Sequence, residues 1–256
     1  MNVDMDEAIL QGITDALAPA AMCDADLVAT VEHLYVADQL GIRDQGTVRI
    51  PWLLDESMRY QTRRWTDGPV KCVSVPLTSN TWKVSGPGRI GYSLMKAAVN
   101  YPFPDGPNEA PQLVIVDGCF PSGALGIWGR HLADKGWASI ITATSHRRVP
   151  HPGGGAPFIG TTPISVTVPS QDSEHLVADL ALTEVTYGDV IAGDAARDQL
   201  RFPNMKLWAL GIALETMVRS MSYSSSAVLM LLFRPVLDSV WTERRGITRR
   251  LPGDRG

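Results

Sequence analysis

The segment VPHPGGGAPFIGTTPISVTVP, residues 149–169, limits the possible folds of this chain more than any other part of it. Its three consecutive glycines, Gly153–Gly155, permit backbone angles and close approaches that side chains prevent. Thr161 and Thr162 follow Gly160, so two hydroxyl groups lie next to this loop, and the run after them has the β-branched composition of a strand. Residue chemistry alone leaves two interpretations open: an elaborate turn between strands, or a loop whose backbone N–H groups bind an anion.

Composition excludes several classes of protein. The chain has 256 residues, 45% of them hydrophobic and 20% charged, as in ordinary globular proteins. A net charge of -4 gives no electrostatic basis for binding nucleic acid, and the three dispersed cysteines lack the spacing of a metal site. The apolar run Ala227–Phe233 is shorter than the roughly 20 residues of a membrane span, and the acidic start lacks a signal peptide's pattern. We therefore expect a cytoplasmic protein without metal, nucleic-acid or membrane partners.

The order of predicted elements indicates a mixed α/β (α+β) fold. Helical patterns lie towards both ends of the chain, and short β-branched runs typical of strands lie mainly in the middle. The strand candidates are residues 70–84, 112–116 and 138–145, and the helix candidates include 6–40, 50–59 and 205–221. The helix Met205–Met221 is so apolar that we expect it to be fully buried. No G-x-G-x-x-G follows a strand, which argues against a Rossmann dinucleotide site.

Several segments together resemble the malate/L-lactate dehydrogenase family, a non-Rossmann group of reductases for 2-oxo acids and cyclic imines. Gly153-Gly154 match the paired glycines of its PWGG element, and residues 160–164, GTTPI, match its GTNPI with Thr162 in the asparagine position. Further matches span most of the chain: ADQLGIRDQGTVRIP (37–51), VSGPGRIGYSLMKAAV (84–99), SGALGIWGRHLADKG (122–136), DLALTEVTYGDV (179–190), MKLWALGIALE (205–215) and RRLPGDRG (249–256).

The resemblance implies a fold, a cofactor and an assembly. The fold is malate/L-lactate dehydrogenase-like, with a largely antiparallel central sheet and flanking helices. The cofactor is NAD or NADP, and the assembly is a homodimer. Residues 71–169 would form the cofactor-binding part, and residues 1–70 with 170–256 the helical, dimerisation and substrate-side part. The implied cofactor-binding residues are Thr144, Ser145, Gly153, Gly154, Gly160, Thr161, Thr162 and Lys206.

The catalytic positions depart from the family pattern. The histidine of the family's SHG, which protonates the reduced substrate, corresponds to Gln45, and the histidine of HFG corresponds to Ala124. A carboxamide hydrogen-bonds but does not deliver a proton. Arg49 matches the family arginine that follows SHG and would hold a substrate carboxylate through two hydrogen bonds. Asp179 matches the aspartate of DMATS and would serve as the acid or base if burial raises its pKa.

Two functions are compatible with these departures. The first is an NAD(P)H-dependent reductase of a small imino or 2-oxo acid in specialised biosynthesis, because an iminium ion already carries the proton that the missing histidine would supply. The second is a non-redox cyclase or isomerase, or a pseudoenzyme, on the same scaffold. Gln45, Arg49 and Asp179 are the candidate catalytic residues. His146 and His151 flank the glycine segment and are alternative sources of the lost acid.

Overall fold

The computed structural model describes residues 6–59, 69–75, 80–103, 110–170, 174–222 and 226–234. The family-like ending at residues 249–256 lies outside these ranges. The helices within them are α1 (Glu7–Leu17), α2 (Asp24–Gln39), α3 (Ile50–Arg59), α4 (Gly91–Asn100), α5 (Leu125–Ala133), α6 (Tyr187–Ala192) and α7 (Met205–Met221). The strands are β1 (Lys71–Ser74), β2 (Thr81–Ser85), β3 (Gln112–Asp117), β4 (Ala138–Ala143), β5 (Val149–Pro150), β6 (Pro157–Ile159), β7 (Pro163–Val168), β8 (Leu176–Ala181) and β9 (Ala227–Phe233).

Seven of these strands form a central sheet in the order β1-β2-β3-β9-β4-β7-β8. Every neighbouring pair is antiparallel except β2 and β3, which run parallel. This arrangement confirms the predicted mixed fold with a largely antiparallel sheet, and it differs from the parallel sheet of a Rossmann domain. Strands β5 and β6 pair separately as a short hairpin, and the glycine turn lies between them.

The main core lies between one face of the sheet and helices α2, α4 and α5. Its fully buried side chains include Leu34, Tyr92, Leu94, Ile127 and Leu132 from the helices. Strand β3 contributes residues to this core in alternation, because successive side chains of a strand point to opposite faces. Val114 and Val116 belong to the main core, whereas Ile115 packs with Val218 of α7 and Leu229 of β9. Helix α7 therefore covers part of the other face.

The prediction that helix α7 is fully buried is wrong. Among its residues only Gly211, Glu215 and Val218 are buried. Four large apolar side chains remain exposed: Met205 (52%), Leu210 (42%), Met217 (37%) and Met221 (39%). An apolar helix has the same composition whether it packs inside one chain or covers a surface, so the sequence could not distinguish the two. None of the helices in the described part combines the length and hydropathy needed to cross a bilayer.

Candidate active site

A cavity of about 200 Å³ lies where the carboxyl end of β8 meets the start of α5 and the turns after α2. Two short 3-10 segments, Arg43–Gln45 and Thr47–Arg49, form one wall. All three predicted catalytic residues line it: Gln45, Arg49 and Asp179. So do three of the eight predicted cofactor-binding residues: Thr144, Ser145 and Thr161. The structure thus brings together residues that are more than 130 positions apart in the sequence.

Arg49 contributes a buried positive charge to this cavity. The residue is 7% exposed, and its Nε–H donates to the carbonyl oxygen of Asp44 at 2.7 Å. Its guanidinium carbon lies 5.4 Å from the ring centre of Trp52. Among the described residues no carboxylate lies within ion-pair distance of Arg49. A buried charge is normally paired, so the remaining N–H groups are suited to an anionic ligand.

Gln45 binds its neighbour Asp44. The Gln45 Nε2–H donates to Asp44 Oδ2 at 2.7 Å, and the Thr186 hydroxyl donates to the same oxygen at 2.8 Å. These two hydrogen bonds hold one oxygen of the Asp44 carboxyl group in place. The position that matches the family's catalytic histidine therefore carries an amide that fixes a carboxylate at the cavity wall. Sequence reasoning did not assign Asp44 a role, although the residue stands directly before Gln45.

Asp179 is the candidate proton carrier of the site. Its Oδ2 accepts a hydrogen bond from the Gly126 N–H, in the first turn of α5, at 2.7 Å. A Cβ on Gly126 would lie 2.9 Å from the Asp179 side chain, so glycine is required for this approach. Although part of Asp179 is open to solvent, burial of its carboxyl raises the pKa, and the charge of Asp44 raises it further against the opposing effect of the Gly126 hydrogen bond. A carboxyl with a raised pKa is suited to general acid catalysis.

His33 fills the space beside Ala124, the position of the family's second histidine. Its ring stacks between Tyr92 and Trp128, with ring centres 4.6 Å and 4.9 Å away, and its Nε2 accepts from the Ala124 N–H at 3.2 Å. Burial lowers the pKa of His33 to about 3, and the positive charge of Arg49 contributes to this shift. His33 is therefore neutral and acts as an acceptor in the core.

The two histidines that flank the glycine segment lie outside the described cavity lining. The His146 ring contacts Phe120 with ring centres 4.6 Å apart. Burial lowers the pKa of His146, and the charges of Arg148 and Arg219 lower it further, so the ring is neutral near pH 7. His151 is exposed, and its Nδ1 accepts from the Gly153 N–H at 2.9 Å. Neither placement supports a replacement acid.

The predicted cofactor-binding residues divide into two groups. Thr144, Ser145 and Thr161 line the cavity, and Gly160 lies against Ser145. A Cβ on Gly160 would lie 1.9 Å from Ser145 Oγ, so this glycine allows Ser145 to occupy its position. The remaining four lie outside the cavity lining: Gly153 and Gly154 in an exposed turn, Lys206 in the exposed first turn of α7, and the buried Thr162.

Thr162, which directly follows Thr161, adopts a strained backbone conformation. Its φ of +45° lies in the left-handed region, which a β-branched residue rarely adopts. The residue is fully buried, and its Oγ1 has no hydrogen-bond partner in the part of the chain that the structure describes. The asparagine that the family pattern has at this position tolerates the left-handed region better. Strain of this kind is typical of functional sites, where surrounding packing maintains it.

Arg148 and Tyr187 line the cavity and were missed by sequence reasoning. The Arg148 guanidinium carbon lies 3.7 Å from the ring centre of Tyr187, which begins α6. The available signal was the pair Arg147-Arg148 directly before the glycine segment, but a sequence does not show which of two adjacent arginines faces inward. Within the described ranges, no group of three His, Cys, Asp or Glu side chains is placed to hold a metal ion.

The sequence pattern of the malate/L-lactate dehydrogenase family matches residues 6–206, and the chain belongs to this family. Ureidoglycolate dehydrogenase (NAD(+)) of Escherichia coli K12 is 23% identical over 210 residues, which cover 80% of this chain and 56% of the relative. The chain therefore matches little more than half the length of this curated relative.

Solved structures show the same fold. Delta1-piperideine-2-carboxylate reductase from Pseudomonas syringae superposes with a TM-score of 0.76 at 18% identity, covering 96% of this chain and 89% of that one. Sulfolactate dehydrogenase from Methanocaldococcus jannaschii gives a TM-score of 0.74 at 15% identity, covering 97% and 85%. At these identities the likeness concerns the fold, which matches the one that the sequence motifs implied.

Proposed function

We propose that this protein is an NAD(P)H-dependent reductase of a small 2-oxo or cyclic imino acid. The observation that carries the proposal is the buried guanidinium of Arg49, which faces a cavity without a carboxylate partner among the described residues. A substrate carboxylate bound there through two hydrogen bonds places the adjacent carbonyl or imine inside the cavity. Family membership and the names of its relatives, dehydrogenases and a reductase, support the reaction class.

The chain's own residues supply binding and a proton. Arg49 orients the carboxylate, and Asp179 delivers a proton to the substrate oxygen. Asp44, which Gln45 and Thr186 hold in place, contributes a negative charge that helps to raise the pKa of Asp179. An iminium substrate already carries its proton, so it depends less on Asp179. Solvent returns the proton to Asp179 after product release.

A nicotinamide cofactor fits the residues on the cavity wall. It would supply the hydride when bound. Ser145 and Thr161 provide hydroxyl groups there, and Gly160 leaves the space that Ser145 requires. Thr144 supports this wall from behind, because its hydroxyl and its N–H are hydrogen-bonded to Ala227. A volume of about 200 Å³ lies below the roughly 300–1,000 Å³ of whole-ligand pockets, so the enclosed part suits a small acid. We propose that residues 71–169 hold the cofactor, with Gly153, Gly154, Thr162 and Lys206 contributing from outside the cavity lining.

We also propose a homodimer, because the structure leaves part of one face of the sheet apolar and open. Ile140 and Val166 stand opposite each other on β4 and β7, and Leu180 stands opposite Ile164 on the same face. Ile140, Val166 and Leu180 are 38%, 39% and 53% exposed. Helix α7, which carries further exposed apolar side chains, packs on β4 and β9 on the same face of the sheet. Extended apolar patches of this kind commonly mark protein interfaces.

The experiment that tests the proposed function measures cofactor binding and turnover separately. Fluorescence titration with NADH and NADPH reports binding, and absorbance of the reduced nicotinamide reports turnover of 2-oxo acids and of delta1-piperideine-2-carboxylate. We expect at least one cofactor to bind and at least one of these acids to be reduced. Absence of binding by both cofactors contradicts the proposal. If the protein binds a carboxylate but binds neither cofactor, the result favours the non-redox alternative, which the loss of the histidine at Gln45 suggests.

The substitution Gly160→Ala tests the cofactor wall. The added Cβ would meet Ser145 Oγ at 1.9 Å and displace that hydroxyl, so the affinity for NADH or NADPH should fall by about tenfold, the effect of one hydrogen bond to a charged group. Gly12→Ala is the matched control, because a Cβ on Gly12 in exposed α1 meets nothing within 4 Å. Unchanged cofactor affinity in a folded Gly160→Ala protein would remove Ser145 from the proposed site.

A further inference from the structure

Resting on the reductase function proposed above, we propose that Arg148 forms a second anion subsite, which binds a carboxylate at the opposite end of the substrate from the one that Arg49 holds. The substrate is then a small 2-oxo or imino acid with two carboxylates. The juxtaposition that carries the inference is two guanidinium groups, Arg49 and Arg148, that line one small cavity.

The Arg148 side chain is fixed in place. Its backbone N–H donates to the carbonyl oxygen of Ile159 at 2.8 Å, which anchors the residue at the start of the β5–β6 hairpin. Its guanidinium carbon lies 3.7 Å from the centre of the Tyr187 ring, so the guanidinium stacks on the aromatic face. Stacking occupies the face of the guanidinium and leaves its N–H edge available to a carboxylate. A fixed cation binds an anion with less entropy loss than a mobile one.

The charges around the cavity leave both arginines without an ion-pair partner. The charged side chains of the lining are Asp44, Arg49, Arg148 and Asp179. In the described ranges no carboxylate approaches Arg148 within ion-pair distance, as was found for Arg49. Asp44 is already engaged by Gln45 and Thr186, and Asp179 by Gly126. A ligand with one carboxylate would satisfy one guanidinium, whereas a dicarboxylate satisfies both.

The size of the cavity favours a compact ligand. A volume of about 200 Å³ accommodates a short-chain acid, and both Arg49 and Arg148 line this volume. A phosphate of the cofactor is the other possible source of an anion at Arg148. The two sources make different predictions, because a substrate carboxylate changes selectivity among acids, whereas a cofactor phosphate changes affinity for the nucleotide.

Calorimetry with matched pairs of acids tests the subsite. The probes are 2-oxoglutarate against 2-oxopentanoate, and 2-oxoadipate against 2-oxohexanoate; each pair differs by a carboxylate in place of a terminal methyl group. Binding is measured with and without oxidised cofactor. We expect the wild-type protein to bind the dicarboxylate of at least one pair about tenfold more tightly. Arg148→Met should abolish this preference and retain affinity for the monocarboxylate.

Arg147→Met is the matched control. Arg147 is adjacent, carries the same charge, is exposed, and lies outside the cavity lining, so its loss should leave the preference intact. The proposal is overturned if the wild-type protein shows no dicarboxylate preference in either pair, or if Arg148→Met weakens both members equally. It is also overturned if Arg148→Met reduces affinity for NADH or NADPH and leaves the preference unchanged. Since these measurements need no turnover, they separate failure of the subsite from failure of the proposed reductase activity.

Discussion

Replacing Arg49 by methionine is expected to lower kcat/KM for the acid substrate by about 10²- to 10³-fold, the usual effect of removing one partner of a buried charged hydrogen bond. Arg49 is 7% exposed and uses its Nε–H for the Asp44 carbonyl, so its remaining N–H groups are what the substrate carboxylate would lose. Steady-state kinetics should show most of the change in KM, because the carboxylate is bound in the ground state as well as in the transition state.

Two further variants distinguish binding from folding. Arg49→Lys keeps the charge but not the two parallel donors, so we expect an intermediate loss. Arg43→Met is the matched control, because Arg43 lies in the neighbouring 3-10 segment and its side chain is 71% exposed. Its ion pair with Asp194 is long, with 3.9 Å between the guanidinium Nη1 and the carboxylate Oδ1. Wild-type kinetics in a folded Arg49→Met protein, with a circular dichroism melt like that of the parent, would contradict the assigned role.

Replacing Asp179 by asparagine is expected to lower kcat for 2-oxo acids by about 10²- to 10⁴-fold, the range of general acid catalysis. The same variant should reduce cyclic imines much less, because the iminium form already carries its proton. Asp198→Asn, an exposed position outside the cavity lining, serves as the control. Equal losses for both substrate types would show that Asp179 acts in folding or binding and does not donate the proton.

The pH dependence of the 2-oxo acid reaction gives an independent measure of the same group. Burial, and then the charge of Asp44, raise the pKa of Asp179, so the protonated form persists to a higher pH than an ordinary aspartate allows. Activity that needs the protonated form is constant below this pKa and falls as the pH rises through it. Asp44→Asn removes a negative charge and should move the falling limb to lower pH. An unmoved limb would exclude Asp44 as the group that tunes Asp179.

The sequence predicted the fold well because its signals are local. The β-branched run Gln112–Val116 and the segment Ala138–Ser145 have strand composition, and the structure confirms both as strands β3 and β4 of the sheet. The glycine segment was recognisable because side chains restrict the backbone angles that three consecutive glycines permit. The family pattern then added the long-range order of these pieces, which local periodicity does not contain.

The parts of the site that sequence did not reveal depend on tertiary contacts. Nothing in the run Arg147-Arg148 shows that the second arginine stacks on Tyr187, about forty residues away in the chain. The substitution of the family's histidine by Gln45 was evident, but the Thr186–Asp44–Gln45 hydrogen bonds that replace it were not. Exposure of α7 was equally hidden, since apolar composition does not specify which chain the helix packs against.

The position of β9 has a consequence for the way this molecule is made. Residues 227–233 form the strand that lies between β3 and β4, and no other pairing joins β1-β2-β3 to β4-β7-β8 in the described sheet. During synthesis on the ribosome, the two groups of strands therefore emerge with complementary edges unpaired until this late segment leaves the exit tunnel. Exposed strand edges present unpaired N–H and C=O groups, which can pair with strands of other nascent chains. Expression yield should consequently be more sensitive to chaperone supply and growth temperature than the stability of the finished protein would suggest.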